Sequence, residues 1–259
     1  MKSPAGSGTR VMTEPTTIRS DRDLQDAVIH YLADAPRRRA GTGALPMSSQ
    51  QADRAERFAR FLARRYYRDR LARSFRHSRR FAPPAEGLVD TPAFDGFLNN
   101  CVLGSAAAAE QVGDLAMGCL HAVNSPGPWW GELLEYERLF FLQVATSESA
   151  IPAEILRAGP SARCHSFSWN LPEILLRLKS GAAVTEELRQ GVTLLFSRTP
   201  SGRIYVVEVD ESTAAVFHAA RAGAGPVQIA KTSFLPATVV RHTLAALAQI
   251  GALVTSSQA

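Results

Sequence analysis

Hydrophobic spacing divides the chain into a long helical part and a shorter mixed part. Residues 1–19 show no apolar period and read as a disordered tail, with Met12 as an alternative start. From Ser20 or Asp21, either of which can cap a helix, Leu24, Val28 and Leu32 recur at i, i+4 and i+8 in "DRDLQDAVIHYLAD". The stretch "APRRRAGTGALPM" reads as a Pro/Gly/Arg loop, and Ser48 or Ser49 caps the helix after it. That helix enters "RFARFLARRYYRDRLARSFRHSRRF", Arg57 to Phe81, which carries two apolar stripes. Phe58, Phe61, Leu62 and Tyr66 form one, and Tyr67, Leu71 and Phe75 form the other. At about 100° per residue the two lie roughly opposite each other. A surface helix keeps one stripe, so the pattern predicts either a break near Tyr67 or burial on different sides along its length.

Beyond "FAPPAE", the segment "DTPAFDGFLNNCVLGSAAAAEQVGDLAMGCLHAV" reads as helical, with Phe94, Phe97, Leu98, Val102, Val112, Leu115 and Leu120 in its core. "NSPGP" ends it, and "WWGELLEYERLFFLQVATSES" predicts another helix with Leu133, Tyr136, Phe140 and Val144 turned inward. After Ala150 the pattern changes. "ARCHSFSWNLPEILLRLKSG" reads as an extended piece, then a short helix from about Leu171. Val192–Arg198 and Arg203–Val209 are apolar and β-rich, and "TPSG" between them predicts a hairpin. Asp210 caps a helix, "GPVQIAKTSF" and "LPATVVRHTLAALAQIGALV" supply two more, and Ala252–Val254 reads as a small strand. The expected fold class is therefore α+β: a helical bundle over residues 20–160, then a winged-helix-like domain over 161–259.

Charge sharpens this picture. Arg57–Phe81 holds ten arginines against Asp69 alone, a net +9 in a chain whose total is +5, which leaves −4 for the rest. A general polyanion binder spreads its positive charge more widely. The arginines are expected to line helix edges, some pairing with Glu132, Glu135 or Glu137, others facing a protein partner. Arg68, Arg73 and Arg76 are the candidates for that partner contact. No apolar run approaches the length of a membrane span, and "MKSPAGSGTRVMTEPTT" lacks the apolar core of a secretory signal, so a cytoplasmic protein with no membrane contact is expected. Cys101, Cys119 and Cys164 lack metal-ligand spacing and read as buried, reduced thiols.

The usual signatures of catalysis do not occur. The six histidines are scattered, with no HExxH, and there is no GxSxG and no phosphate loop with its Lys and hydroxyl partner. Glu132, Glu135 and Glu137 could serve as an acid/base cluster, but no partner stands at a matching spacing. A DNA-binding regulator is the alternative that the C-terminal helices suggest. The last helix, however, with Val240, Leu244 and Leu247 inward, would expose Ala237, Thr238, Arg241, His242, Ala245 and Gln249, which includes one permanent cation. The hairpin offers a different activity. Tyr205, Val206 and Val207 make one strand apolar on both faces. At a sheet edge that strand can pair with an extended peptide, whereas in a central or covered position it cannot.

The segments "FLARRYYRDRLARSFRHSRRF", "TPAFDGFLNNCVLGS", "PWWGELLEYERLFFLQVAT", "SFSWNLPEILLRL" and "VTLLFSRTPSGRIYVVEVDEST" resemble the partner proteins of multinuclear non-heme iron-dependent oxidative enzymes, a family with a member in methanobactin biosynthesis. The likeness runs over roughly residues 50 to 255. It implies a non-catalytic subunit beside a separate TIM-barrel enzyme that holds the iron, with no cofactor, metal ligand, acid or base in this chain. It also implies that the C-terminal module captures the leader of a ribosomally made precursor peptide as an added strand, against the helix beside the sheet. Carried to this sequence, that implicates Val192–Arg198, Arg203–Val209 and Pro236–Ile250, with Arg203, Ile204, Tyr205, Val206, Val207 and Arg241 as peptide contacts. The first 45 residues and the weakly apolar "GPVQIAKTSF" depart from the family's pattern.

Overall fold

In a computed structural model of the chain, residues 28–40, 48–147, 157–159 and 161–254 are described. The expected N-terminal tail and the first turns of the expected first helix lie outside them. Residues 28–33 are helical. The expected loop after Asp34 instead begins with a short helix, α1 (Ala35–Ala40). Its first turn is fixed by Asp34, whose carboxylate accepts the Arg37 amide at 2.9 Å, and Pro36 suits that first turn because its missing N–H is not needed there.

The arginine-rich stretch lies mostly on α2 (Ser49–Ser74), capped by Ser48 in a reciprocal box with Gln51. Neither sequence expectation for the two stripes is met. The helix is unbroken, and its buried face is Ala59, Ala63, Tyr67, Leu71 and Ser74. The second stripe is core; Phe58 and Phe61 of the first are exposed, and Leu62 and Tyr66 are half-buried. The i, i+4 ladder of small residues, Ala59 and Ala63, lets the helix approach its neighbours closely. It was hidden by the larger aromatics alongside.

The next expected helix is two, α3 (Pro92–Leu98) and α4 (Ala106–His121), with Thr91 and Ser105 as caps. Gly104, at φ +79°, turns the chain between them where a Cβ would lie 2.5 Å from the Ser147 hydroxyl. Val102 is exposed rather than core and pairs as an isolated bridge with Asp34. Helix α5 (Trp130–Ala145) is the axis of the structure, with no exposed residue along its length. Its burial is wider than the predicted stripe: Leu134, Leu139, Phe141 and Leu142 join Leu133, whereas Tyr136, Phe140 and Val144 are half-buried. Helices on several sides and the sheet on another all pack on α5, so one stripe was never enough.

A three-stranded antiparallel sheet follows, in the order β2 (Arg163–Phe167), β3 (Val192–Arg198), β4 (Ile204–Glu208), with α6 (Leu171–Ser180) between β2 and β3. The chain then forms α7 (Glu211–Arg221), α8 (Pro226–Ser233) and α9 (Ala237–Gln249). The strand β5 (Leu253–Val254) returns to pair with β1 (Arg157–Ala158). The architecture is α+β.

Among the described residues apolar contacts form two clusters, and β3 belongs to both. Val192, Leu194 and Phe196 join Phe167, Trp169, Leu171, Ile174 and Leu178 in the cluster built on α2, α4 and α5, which therefore runs across residue 160. Leu195, on the opposite face by the strand's period of two, joins Val216, Phe217, Ile229, Val240, Leu244 and Leu247 from α7, α8 and α9. The sheet is thus a wall shared by the helical region and the C-terminal helices.

Candidate functional site

Among the described residues the hairpin places β4 at the edge of the sheet, with β3 between it and β2. The turn is set by Gly202, which takes φ +85° and donates its amide to Thr199 O at 2.8 Å. This is the type I turn plus left-handed glycine that closes short hairpins. Burial separates the two strands sharply. Five of the seven residues of β3 are buried, whereas every residue of β4 is half-buried or exposed.

Hydrogen-bond parity identifies which amides of β4 point away from β3. Thr199 N donates to Arg203 O at 2.9 Å, and Val209 N donates to Thr193 O at 3.0 Å. Leu195 stands opposite Val207 and Ser197 opposite Tyr205. In an antiparallel ladder the bonded residues alternate, so Tyr205 and Val207 direct their N–H and C=O groups to β3. Ile204, Val206 and Glu208 direct theirs outward. Between Ile204 and Val207 there is no Pro, Lys or bulge of the kind that usually blunts an edge.

The faces of β4 are equally distinct. Val206 packs against the first cluster, while Val207 and Val209 pack against the second, which also holds Val240, Leu244 and Leu247 of α9. Strand and helix therefore share one apolar floor. Helix α9 is pinned at its C-terminal end: Ser197, buried in β3, donates its hydroxyl to Ile250 O at 2.8 Å. Gly251, at φ +75°, passes so close to β3 that a Cβ there would meet Arg198 O at 2.2 Å.

The sequence-predicted contacts fall into place unequally. Ile204, Tyr205, Val206 and Val207 lie on β4. Arg203 is one residue before the strand, exposed, with its guanidinium 5.0 Å from the Tyr205 ring centroid. Arg241 is exposed on α9, and among the described residues no hydrogen bond, ion pair or ring contact joins it to β4. The exposed set predicted for α9 is observed, from Ala237 to Gln249. Glu208, the third outward-facing position, was missed; counting alternate residues back from a two-strand turn would have found it.

The arginine stretch is wired differently from expectation. Its carboxylate partners are not on α5. Arg60 pairs with Glu56 at 2.9 Å, Arg64 with Asp95, Arg68 with Asp90 at 2.6 Å and Arg79 with Glu86 at 3.2 Å. Arg70 lies over the Tyr66 ring, and Arg80 donates to Leu178 O. Of the three proposed partner contacts, Arg68 is thus engaged by Asp90, Arg76 donates to His77 Nε2 at 3.0 Å, and Arg73 is exposed without a partner among the described residues.

The α5 glutamates have structural partners instead. Glu132 accepts the Ser168 and Trp169 amides, both at 2.9 Å, and ties the end of β2 to the bundle. Glu135 pairs with Arg138 on its own helix. Glu137 is fully buried and accepts the His77 amide at 2.6 Å and that of Ser78 at 3.3 Å, holding the turn after α2. Burial pushes its carboxyl up to about 7, partly offset by those N–H donors. Burial, with Arg76 and Arg80 nearby, pushes His77 down to about 4. Glu137 thus caps the backbone amides of the turn after α2, with the half-buried His77 at its edge.

Among the described residues no group of three or more His, Cys, Asp or Glu side chains converges to hold a metal ion, and no helix is long and apolar enough to cross a membrane. Cys101 is buried and Cys164 half-buried, but Cys119 is exposed, contrary to expectation. No protein-family model matches the chain, and a search of curated proteins returned no match.

Proposed function

We propose that this protein is a non-catalytic partner subunit that binds a ribosomally made precursor peptide by strand addition and presents it to an iron-dependent TIM-barrel oxidative enzyme. The observation that carries the reading is the open edge of β4: outward amides at Ile204, Val206 and Glu208, on a strand whose Val207 shares an apolar floor with α9. Backbone pairing would supply affinity, and the side chains on either face of β4 would select the alternate residues of the peptide. In this reading the hairpin with α7, α8 and α9 is the winged-helix-like capture module. The family resemblance supplies the enzyme and the class of peptide. Holding both on one scaffold raises the concentration of the target residue at the iron.

The DNA-binding alternative has less behind it, because the exposed face of α9 carries Arg241 as its sole permanent cation. The test is co-expression with a TIM-barrel iron enzyme and a short peptide encoded beside this chain. The reading expects co-purification with the enzyme and saturable binding of the peptide. If the chain binds neither, the proposal fails.

A further inference from the structure

Among the described residues one face of α2 has no partner, and its chemistry specifies what would cover it. The buried residues Ala59, Ala63, Tyr67 and Leu71 define the core side. At about 100° per residue the opposite side presents Arg54, Phe58, Phe61 and Arg65, flanked by Arg57. Phe58 is 51% exposed and Phe61 55%. Two phenyl rings half in water on a helix that has a complete core face elsewhere contribute little to folding.

The arginines on this face differ from their neighbours. Arg60, Arg64, Arg68 and Arg79 each have a carboxylate of this chain, whereas Arg54, Arg57 and Arg65 are exposed and have no hydrogen bond or ion pair among the described residues. Asp53, one turn before Arg57, and Asp69, one turn beyond Arg65, are the nearest acidic residues on this side of the helix, and among the described residues neither makes an ion pair with these arginines. The surface is thus an aromatic pair ringed by three guanidiniums. Phe and Arg are the residue types enriched at the centres of protein interfaces.

We infer that this face of α2 docks a separate protein chain that presents an apolar surface bordered by carboxylates, and, resting on the reading above, that this chain is the iron-dependent enzyme. A second copy of this protein does not fit, because it would set three uncompensated arginines against three more. An extended lipid surface fits less well, since two rings within about 16 Å of helix offer little area to insert. The site lies on a different element from β4, so enzyme and peptide are held by separate surfaces. It also replaces Arg68 as a partner contact, since Asp90 already engages that guanidinium.

The test measures three affinities of the full chain: for the neighbouring TIM-barrel enzyme, for the precursor peptide, and for vesicles containing phosphatidylserine. Phe58→Ala/Phe61→Ala should weaken enzyme association by about 30-fold or more, the loss expected when central anchors of an interface are truncated. Arg54→Glu/Arg57→Glu/Arg65→Glu should slow association and flatten its salt dependence. Peptide affinity should change less than about two-fold for both, because β4 is untouched. Wild-type enzyme binding that both variants retain removes this surface but leaves the proposed function standing. No enzyme binding by the wild-type chain removes the enzyme reading and this surface together. Vesicle binding that the Phe variant abolishes reassigns the face to a membrane and overturns the inference.

Discussion

Replacing Val206 with proline separates the outer edge of β4 from its inner ladder. The Val206 N–H points away from β3, whereas its neighbours Tyr205 and Val207 supply the bonds to β3. Proline at 206 therefore removes one outward donor and no ladder bond, and the extended residue before it suits a pre-proline position. Val206 is half-buried against the first cluster, so some packing is lost, and a stability change of about 1 kcal/mol is expected. For a peptide added at this edge, the lost donor leaves a peptide carbonyl unpaired, which costs about 1–3 kcal/mol. That corresponds to an affinity loss of roughly five-fold to more than 100-fold. The assay is fluorescence anisotropy of the labelled precursor peptide, with urea unfolding as the control for folding. Val207→Pro provides the contrast: it removes a donor to β3 and should lower stability more than Val206→Pro does. A folded Val206→Pro protein that binds the peptide as tightly as wild type would refute the assignment of this edge.

Two further predictions concern the scaffold. The Glu137 carboxyl, raised to about 7 by burial, gives stability that is full below about pH 4.5 and lost as pH rises to about 7; His77, lowered to about 4, gives stability that is present above about 6.5 and lost as pH falls to about 4. The slopes oppose each other between about pH 4.5 and 6.5, so Glu137→Gln should expose the His77 slope and make urea stability fall steadily with acid through that window; a pH profile parallel to wild type would contradict this. Gly251→Ala forces an alanine to φ +75° with its Cβ against Arg198 O, and a loss of roughly 2 kcal/mol or more is expected in thermal unfolding; a change under about 0.5 kcal/mol would mean that α9 is not held by this approach.

Much of the C-terminal part was legible because short signals decided it. The β-rich runs around "TPSG", the cap at Asp210 and the inward trio Val240, Leu244 and Leu247 are local patterns, and local patterns survive folding. The helical part was harder for a physical reason. On α2 the large aromatics Phe58 and Phe61 dominate any hydrophobic count, yet the core side is built on Ala59 and Ala63, whose value is close approach rather than area. Charge pairing was misassigned for a related reason. Glu137 lies beside the end of α2, but it satisfies backbone amides, and the arginines find Glu56, Asp90, Asp95 and Glu86. Which carboxylate meets which guanidinium depends on how the Ala85–Asp90 turn and α3 fold back over α2, and no periodicity encodes that.

Amide hydrogen exchange on β4 tests the central claim most directly. In the free chain Ile204, Val206 and Glu208 should exchange quickly, while Tyr205, Val207 and Val209 should be protected by β3. Saturating precursor peptide should slow exchange at Ile204, Val206 and Glu208 by an order of magnitude or more and leave the odd positions nearly unchanged. Peptide binding with no added protection at these three amides would contradict strand addition at β4.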